Sequence, residues 1–89
     1  MEQSFGTKLE FHPNPAIDLF KIQIVNDFEA TCVSCSFFDV SGKRCLPNLI
    51  ENSGKEMVFN RNGLPSGVYV VEMLLSNGKQ IYGKLILVD

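Results

Sequence analysis

Apolar and polar residues alternate along most of the chain. From Leu19 to Val25, Phe20, Ile22 and Ile24 fall on one side and Lys21 and Gln23 on the other. That spacing predicts a strand with one core face and one wet face. The same period of two runs through Glu56–Asn60, where Met57 and Phe59 share a face, and through Gln80–Val88, where Tyr82, Ile86 and Val88 alternate with Ile81, Leu85 and Leu87. The longest apolar run is Val68–Leu75, in which only Glu72 is charged. Tyr69, Val71, Met73 and Leu75 fall on one face, and Val68, Val70, Glu72 and Leu74 on the other. A strand that apolar on both faces is predicted to lie in the middle of a sheet.

The remaining segments extend this pattern. Leu9–His12 reads as an opening strand and Arg44–Leu46 as a short return strand. Ala30–Val40 reads as a second long strand, with Val33, Cys35 and Phe37 on one face and Cys32, Ser34, Ser36 and Phe38 on the other. On that register Cys32 and Cys35 point apart, and Phe38 covers an end of the molecule. Asn48–Lys55 is polar apart from Leu49 and Ile50 and reads as a connection.

Turn residues punctuate the strands. Pro13-Asn14-Pro15 ends the first strand as a rigid crossing segment. At Asp39–Lys43 a turn is predicted with Gly42 at positive φ and the Asp39 carboxylate accepting from backbone N–H groups. Pro65 and Gly67 launch the longest strand. Asn77-Gly78 predicts a tight hairpin of the primed type. No segment carries a helical stripe long enough to compete. The expectation is an all-β fold, an immunoglobulin-like antiparallel β-sandwich of about seven strands, with an open barrel as the alternative. The chain has no Trp, so the Cys-Trp-Cys core of antibody domains is absent.

Composition narrows the function classes. Residues 1–89 suit a single domain. Hydrophobic residues make up 45% and charged residues 20%, a balance that folds rather than stays disordered. A net charge of −2 argues against nucleic acid as a partner. No apolar run of about 18 residues exists to form a transmembrane helix. Met1–Phe5 lacks the basic and apolar regions of a secretory leader.

Candidate chemistry is sparse. Cys32, Cys35 and Cys45 are odd in number and read as buried apolar thiols. Cys32-x-x-Cys35 has redox spacing, yet it falls in a predicted strand rather than at the helix N-terminus that stabilises a thiolate. His12 is the only histidine, too few for a zinc site with three cysteines so dispersed. Asp18, Asp27, Glu29, Asp39, Glu51, Glu56, Glu72 and Asp89 show no paired or calcium-loop spacing. The residues therefore predict no enzyme, no metal and no cofactor.

Four motifs in order carry a resemblance: Pro13-Asn14-Pro15-Ala16, Phe38-Asp39-Val40-Ser41-Gly42-Lys43, Leu64-Pro65-Ser66-Gly67-Val68-Tyr69 and Lys84-Leu85-Ile86-Leu87-Val88. The chain resembles the C-terminal sorting domain of the type IX secretion system (the Por secretion tail), found on secreted proteins of Bacteroidetes. The resemblance implies a non-catalytic signal that takes its parent from the periplasm across the outer membrane, to be secreted or held at the cell surface. The implied partners are the outer-membrane secretion machinery and a sortase-like peptidase. It also implies that Gly67, Tyr69, Lys84, Leu85, Ile86, Leu87 and Val88 are read by that machinery. A terminal edge strand adds an expectation of strand addition by a receptor or of self-association. The family usually ends in basic residues, whereas this chain ends in Asp89. A structural, adhesive or carbohydrate-binding sandwich of a multidomain surface protein is the alternative reading.

Overall fold

The alternating segments form strands, and one polar segment joins them. The computed structural model describes residues 6–27 and 29–89. Met1–Phe5, read above for a leader, lies outside the described residues. The strands are β1 (Lys8–His12), β2 (Leu19–Val25), β3 (Cys32–Phe38), β4 (Arg44–Cys45), β5 (Asn48–Asn52), β6 (Glu56–Asn60), β7 (Gly67–Leu75) and β8 (Gln80–Leu87). They make two antiparallel sheets, ordered β1-β2-β6-β5 and β4-β3-β7-β8. The long apolar strand β7 is central in its sheet, as its two-sided hydrophobicity predicts.

The predicted core faces meet between the sheets. Phe20, Ile22, Ile24, Met57 and Phe59 from one sheet and Phe37, Tyr69, Val71, Met73, Leu75, Leu85 and Leu87 from the other form one buried cluster. Three rings join the layers. Phe20 and Phe59 stack with centroids 5.5 Å apart, and Phe37 meets Phe59 edge-on at 5.1 Å. Such pairs add about 0.5–1.5 kcal/mol each beyond simple burial. On one side the sandwich is closed by β1 lying against β8. There the Phe11 ring covers Gly83, and a Cβ on Gly83 would come within 2.4 Å of Phe11 Cε1. On the other side a cleft of about 250 Å³ opens between β3 and the β5–β6 pair, lined by Val33, Cys35, Leu46, Leu49 and Met57 among others.

Several expectations are corrected. Asn48–Asn52 is a strand, which makes eight strands rather than about seven. All five of its residues are exposed, so β6 pairing rather than a buried face holds it in place. In β3 a bulge between Cys32 and Ser34 shifts the register. The extra residue turns Val33 out, leaving it 61% exposed, and lets both Cys32 and Cys35 pack against the core. The two thiols therefore do not point apart. Phe38 pairs with Val70 and Arg44 on the outer face of its sheet instead of covering an end.

Two of the hairpin turns follow one design. At β7–β8 the Gly78 N–H donates to Leu75 O and the Leu75 N–H to Lys79 O, each at 2.9 Å. At β3–β4 the Gly42 N–H donates to Asp39 O and the Asp39 N–H to Lys43 O, again at 2.9 Å. Gly78 (φ +88°) and Gly42 (φ +87°) take the left-handed position that ends each loop. Asn77 is not at positive φ. The Asn77-Gly78 hairpin is thus a three-residue loop with a glycine bulge, not the primed two-residue turn.

Two carboxylates pin loops, Asp39 in the predicted manner and Asp27 in the same way. Asp39 Oδ1 accepts from the Ser41 hydroxyl at 2.7 Å and from the Ser41 and Lys43 N–H groups at 2.9 and 3.0 Å. Asp27 Oδ1 accepts from the Ala30 and Glu29 N–H groups at 3.0 and 3.1 Å. The Ser41 hydroxyl beside Asp39, and the Ala30 and Glu29 amides beside Asp27, hold both carboxyls below their ordinary 3.8. Depressed carboxylates stabilise the fold above their unfolded value and lose that contribution as pH falls through the folded value. The urea midpoint should therefore hold between about pH 7 and pH 5 and drop below about pH 4, less steeply in a D27N/D39N variant. An equally steep acid drop in that variant would contradict the role of these two groups.

Gly83→Ala should destabilise by about 1–3 kcal/mol, because the new methyl group overlaps the Phe11 ring. The loss should shrink when Phe11→Ala is made in the same chain, since the overlap is then gone. Urea denaturation of the two single variants and the double variant checks both statements.

Candidate functional site: the sealed edge of the terminal strand

β8 is the last strand and lies at a sheet edge, beside β7. An edge strand leaves every second residue with outward N–H and C=O groups. Here half of that edge is already occupied. The Asn14 amide donates from Nδ2 to Lys84 O at 3.0 Å and accepts at Oδ1 from the Ile86 N–H at 3.0 Å. One side-chain amide thus stands in for the peptide group of a neighbouring strand. Ala16 continues the seal in a parallel bridge to Leu87: its N–H donates to Ile86 O at 2.8 Å, and its O accepts from the Val88 N–H at 2.9 Å. Pro13 and Pro15 flank Asn14 and lack donors of their own, which leaves the Asn14 side chain and the Ala16 backbone to make the contacts. The Pro-Asn-Pro segment is therefore more than a crossing between sheets. Strand addition at Lys84–Val88 would have to displace it, which corrects the expectation of an open terminal edge.

Arg61 ties the same region together. Its Nε donates to Leu64 O at 2.9 Å, its Nη1 to Ile17 O and Val88 O, and its Nη2 to the Ser66 hydroxyl at 3.0 Å. The side chain is only 15% exposed, and its fixed fork serves the capping segment, the β6–β7 loop and the end of β8 at once. The Asp89 carboxylate lies 3.9 Å from Nη2 and accepts from the Ser66 hydroxyl. Neither Arg61 nor the capping action of Asn14 was read from the sequence. The available signal was a lone Arg in a turn of Asn and Gly, which composition alone does not distinguish from a surface charge.

The residues implied by resemblance divide into two sets. Tyr69, Leu85 and Leu87 are buried and support the strand from behind. The Tyr69 hydroxyl donates to Pro65 O at 2.5 Å, and burial pushes its phenol above the ordinary value. That back-bond resembles the tyrosine corner of immunoglobulin-type sandwiches. Gly67, Lys84 and Val88 are exposed and Ile86 half-buried. Gly67 enters β7 at φ +155°, with open space where a Cβ would be.

The other candidates do not converge on chemistry. Cys32, Cys35 and Cys45 are free and half-buried. Burial pushes the Cys35 thiol up to about 12, with Cys32 adding to the effect, so Cys35 is a poor nucleophile near neutral pH. His12 Nε2 lies 3.3 Å from Glu10 Oε1 at the surface. Among the described residues, no group of three or more His, Cys, Asp or Glu side chains is arranged to hold a metal ion. Among the described residues, no helix is long and apolar enough to cross a membrane.

These features define a class: a two-sheet β-sandwich module whose terminal strand is held in register by a cap and a clamp. Comparison with known proteins gives the family. Residues 10–88 match the model of the secretion system C-terminal sorting domain, and the chain belongs to that family, the type IX sorting domains. No curated protein matches the chain. Among solved structures, CopC from Methylosinus trichosporium OB3b is similar in fold, at a TM-score of 0.52 and 21% identity, covering 92% of this chain and 91% of that one.

Asn14→Ala should speed amide exchange at Ile86 by about tenfold or more while leaving Leu85, which faces β7, protected. Arg61→Ala should destabilise by about 2 kcal/mol, the scale of charge-assisted hydrogen bonds to carbonyls. Exchange measured by NMR and urea denaturation check these, and an unchanged Ile86 amide would show that Asn14 does not seal the edge.

Proposed function

We propose that this domain is a folded, non-catalytic export label that directs its parent protein through the type IX machinery to the outside of the cell. The family match over residues 10–88 carries this reading. The parent reaches the periplasm first, and the outer-membrane machinery then reads the domain. A sortase-like peptidase acts on the domain after passage. The resemblance residues that reach the surface, Gly67, Lys84, Ile86 and Val88, are the ones available to be read. Tyr69, Leu85 and Leu87 contribute by keeping β8 in register against β7. The cap and clamp at the β8 edge support recognition of a folded surface over strand addition, and they oppose self-association by the same edge.

A carbohydrate-binding sandwich would present a row of exposed aromatic rings. Tyr82 is the only aromatic ring among the described exposed large hydrophobic side chains. This weakens the alternative.

The test is surface delivery of a reporter carrying the chain at its C-terminus in a type IX-competent host. Deleting Gly83–Asp89 should abolish delivery. Lys84→Glu changes an exposed side chain without touching the core and should cut delivery by about tenfold, with an unchanged thermal midpoint. Full delivery of the deletion variant would overturn the reading.

A further inference from the structure

The outer face of the β4-β3-β7-β8 sheet carries a pattern that neither the cap nor the clamp uses. Cross-strand register places Arg44 opposite Phe38, Phe38 opposite Val70, and Val70 opposite Lys84. These four residues form one row across all four strands, with a cation at each end and two apolar side chains between. The adjacent pair, Val68 and Ile86, widens the apolar centre. Val70 is 44% exposed and Val68 38%, and Phe38 and Ile86 are half-buried. Arg44 and Lys84 are both exposed and have no carboxylate partner among the described ion pairs. Three strand spacings separate them, roughly 14 Å.

We propose that this face is the docking surface for a protein partner that presents an apolar patch flanked by carboxylates at both ends. Charge complementarity identifies the partner chemistry. Two cations held three strand spacings apart match two separated acidic groups, and the valines and Phe38 between them match an apolar surface that excludes water. The register is rigid because β7 is paired on both sides. A flat, half-apolar face on a central strand presents side chains and no free backbone groups, so the partner adds a surface, not a strand. The proposal rests on the sorting reading in one respect, that the partner belongs to the secretion machinery. It adds Arg44, Phe38, Val68 and Val70, which no resemblance motif assigns to recognition, and makes Lys84 one end of a row.

The experiment uses the reporter fusion in a type IX-competent host, with a photo-reactive benzoylphenylalanine at Val70 and, as control, at Lys21 on the opposite sheet. The Val70 probe should cross-link to a protein of the outer-membrane machinery at a segment rich in Asp or Glu, and the Lys21 probe should not. Val70→Glu and Arg44→Glu should each lower delivery by about tenfold with an unchanged thermal midpoint. Cross-linking to a second copy of this chain, or to a segment without acidic residues, would overturn the proposal. So would sedimentation with phosphatidylglycerol vesicles that Arg44→Glu abolishes, since an anionic lipid surface would then be the partner. Delivery of the parent fusion with undiminished delivery of both variants would overturn the docking face alone. Failure of the parent fusion to reach the surface would overturn the sorting reading instead.

Discussion

The outward peptide groups of β8 are the constraint on which the rest depends. A final strand at a sheet edge has nothing beyond it, and bare edge groups invite pairing with any passing chain. In this domain the Asn14 amide and the Ala16 backbone take those groups from Lys84 to Val88. Arg61 then fixes the cap by holding Ile17 O and Val88 O with one guanidinium. The opening and closing segments of the sandwich are thereby joined, although they are some 70 residues apart in the chain. A strand secured at both edges can present its side chains in a constant arrangement, which recognition of a folded label requires.

The core supports that arrangement unevenly. On the β1–β8 side, Phe11 against Gly83 brings the two sheets close. The aromatic contact of Phe20, Phe37 and Phe59 binds the layers further along. On the opposite side the sheets stay apart, and the cleft beside β5 exposes Leu49 and Leu46. Fully buried groups such as Leu85 and Leu87 are each worth about 1.5–3 kcal/mol, so the terminal strand belongs to the core as well as to the surface. Removing it costs core stability, which is why point changes at exposed positions are the more informative variants.

Much of this was legible in the sequence because a period of two is a local signal. It placed Phe20, Ile22 and Ile24 inside and put β7 in the middle of its sheet, while local turn chemistry identified the Asp39 turn with its hydrogen-bonding carboxylate. It did not reveal β5, whose residues are all exposed and whose strand conformation comes from pairing with β6. The bulge at Val33 was hidden for a related reason: one inserted residue inverts the alternation after it, so Cys32 and Cys35 moved to the same side. Asn77-Gly78 marked the hairpin correctly but not its turn type, because the same dipeptide suits a glycine-bulge loop. The Asn14 cap and the Arg61 clamp are long-range contacts, and no local pattern encodes them. The resemblance motifs pointed to Pro13-Asn14-Pro15 and to the terminal strand separately. Only the fold shows that these two motifs hydrogen-bond to one another.

The central claim is that the folded domain works as a type IX export label. It is tested most directly by measuring the surface location of one reporter fusion in two hosts that differ only in the type IX translocon. Protease accessibility on intact cells should show the reporter outside in the competent host and retained in the periplasm in the deficient one. Equal surface delivery in both hosts would contradict the assignment.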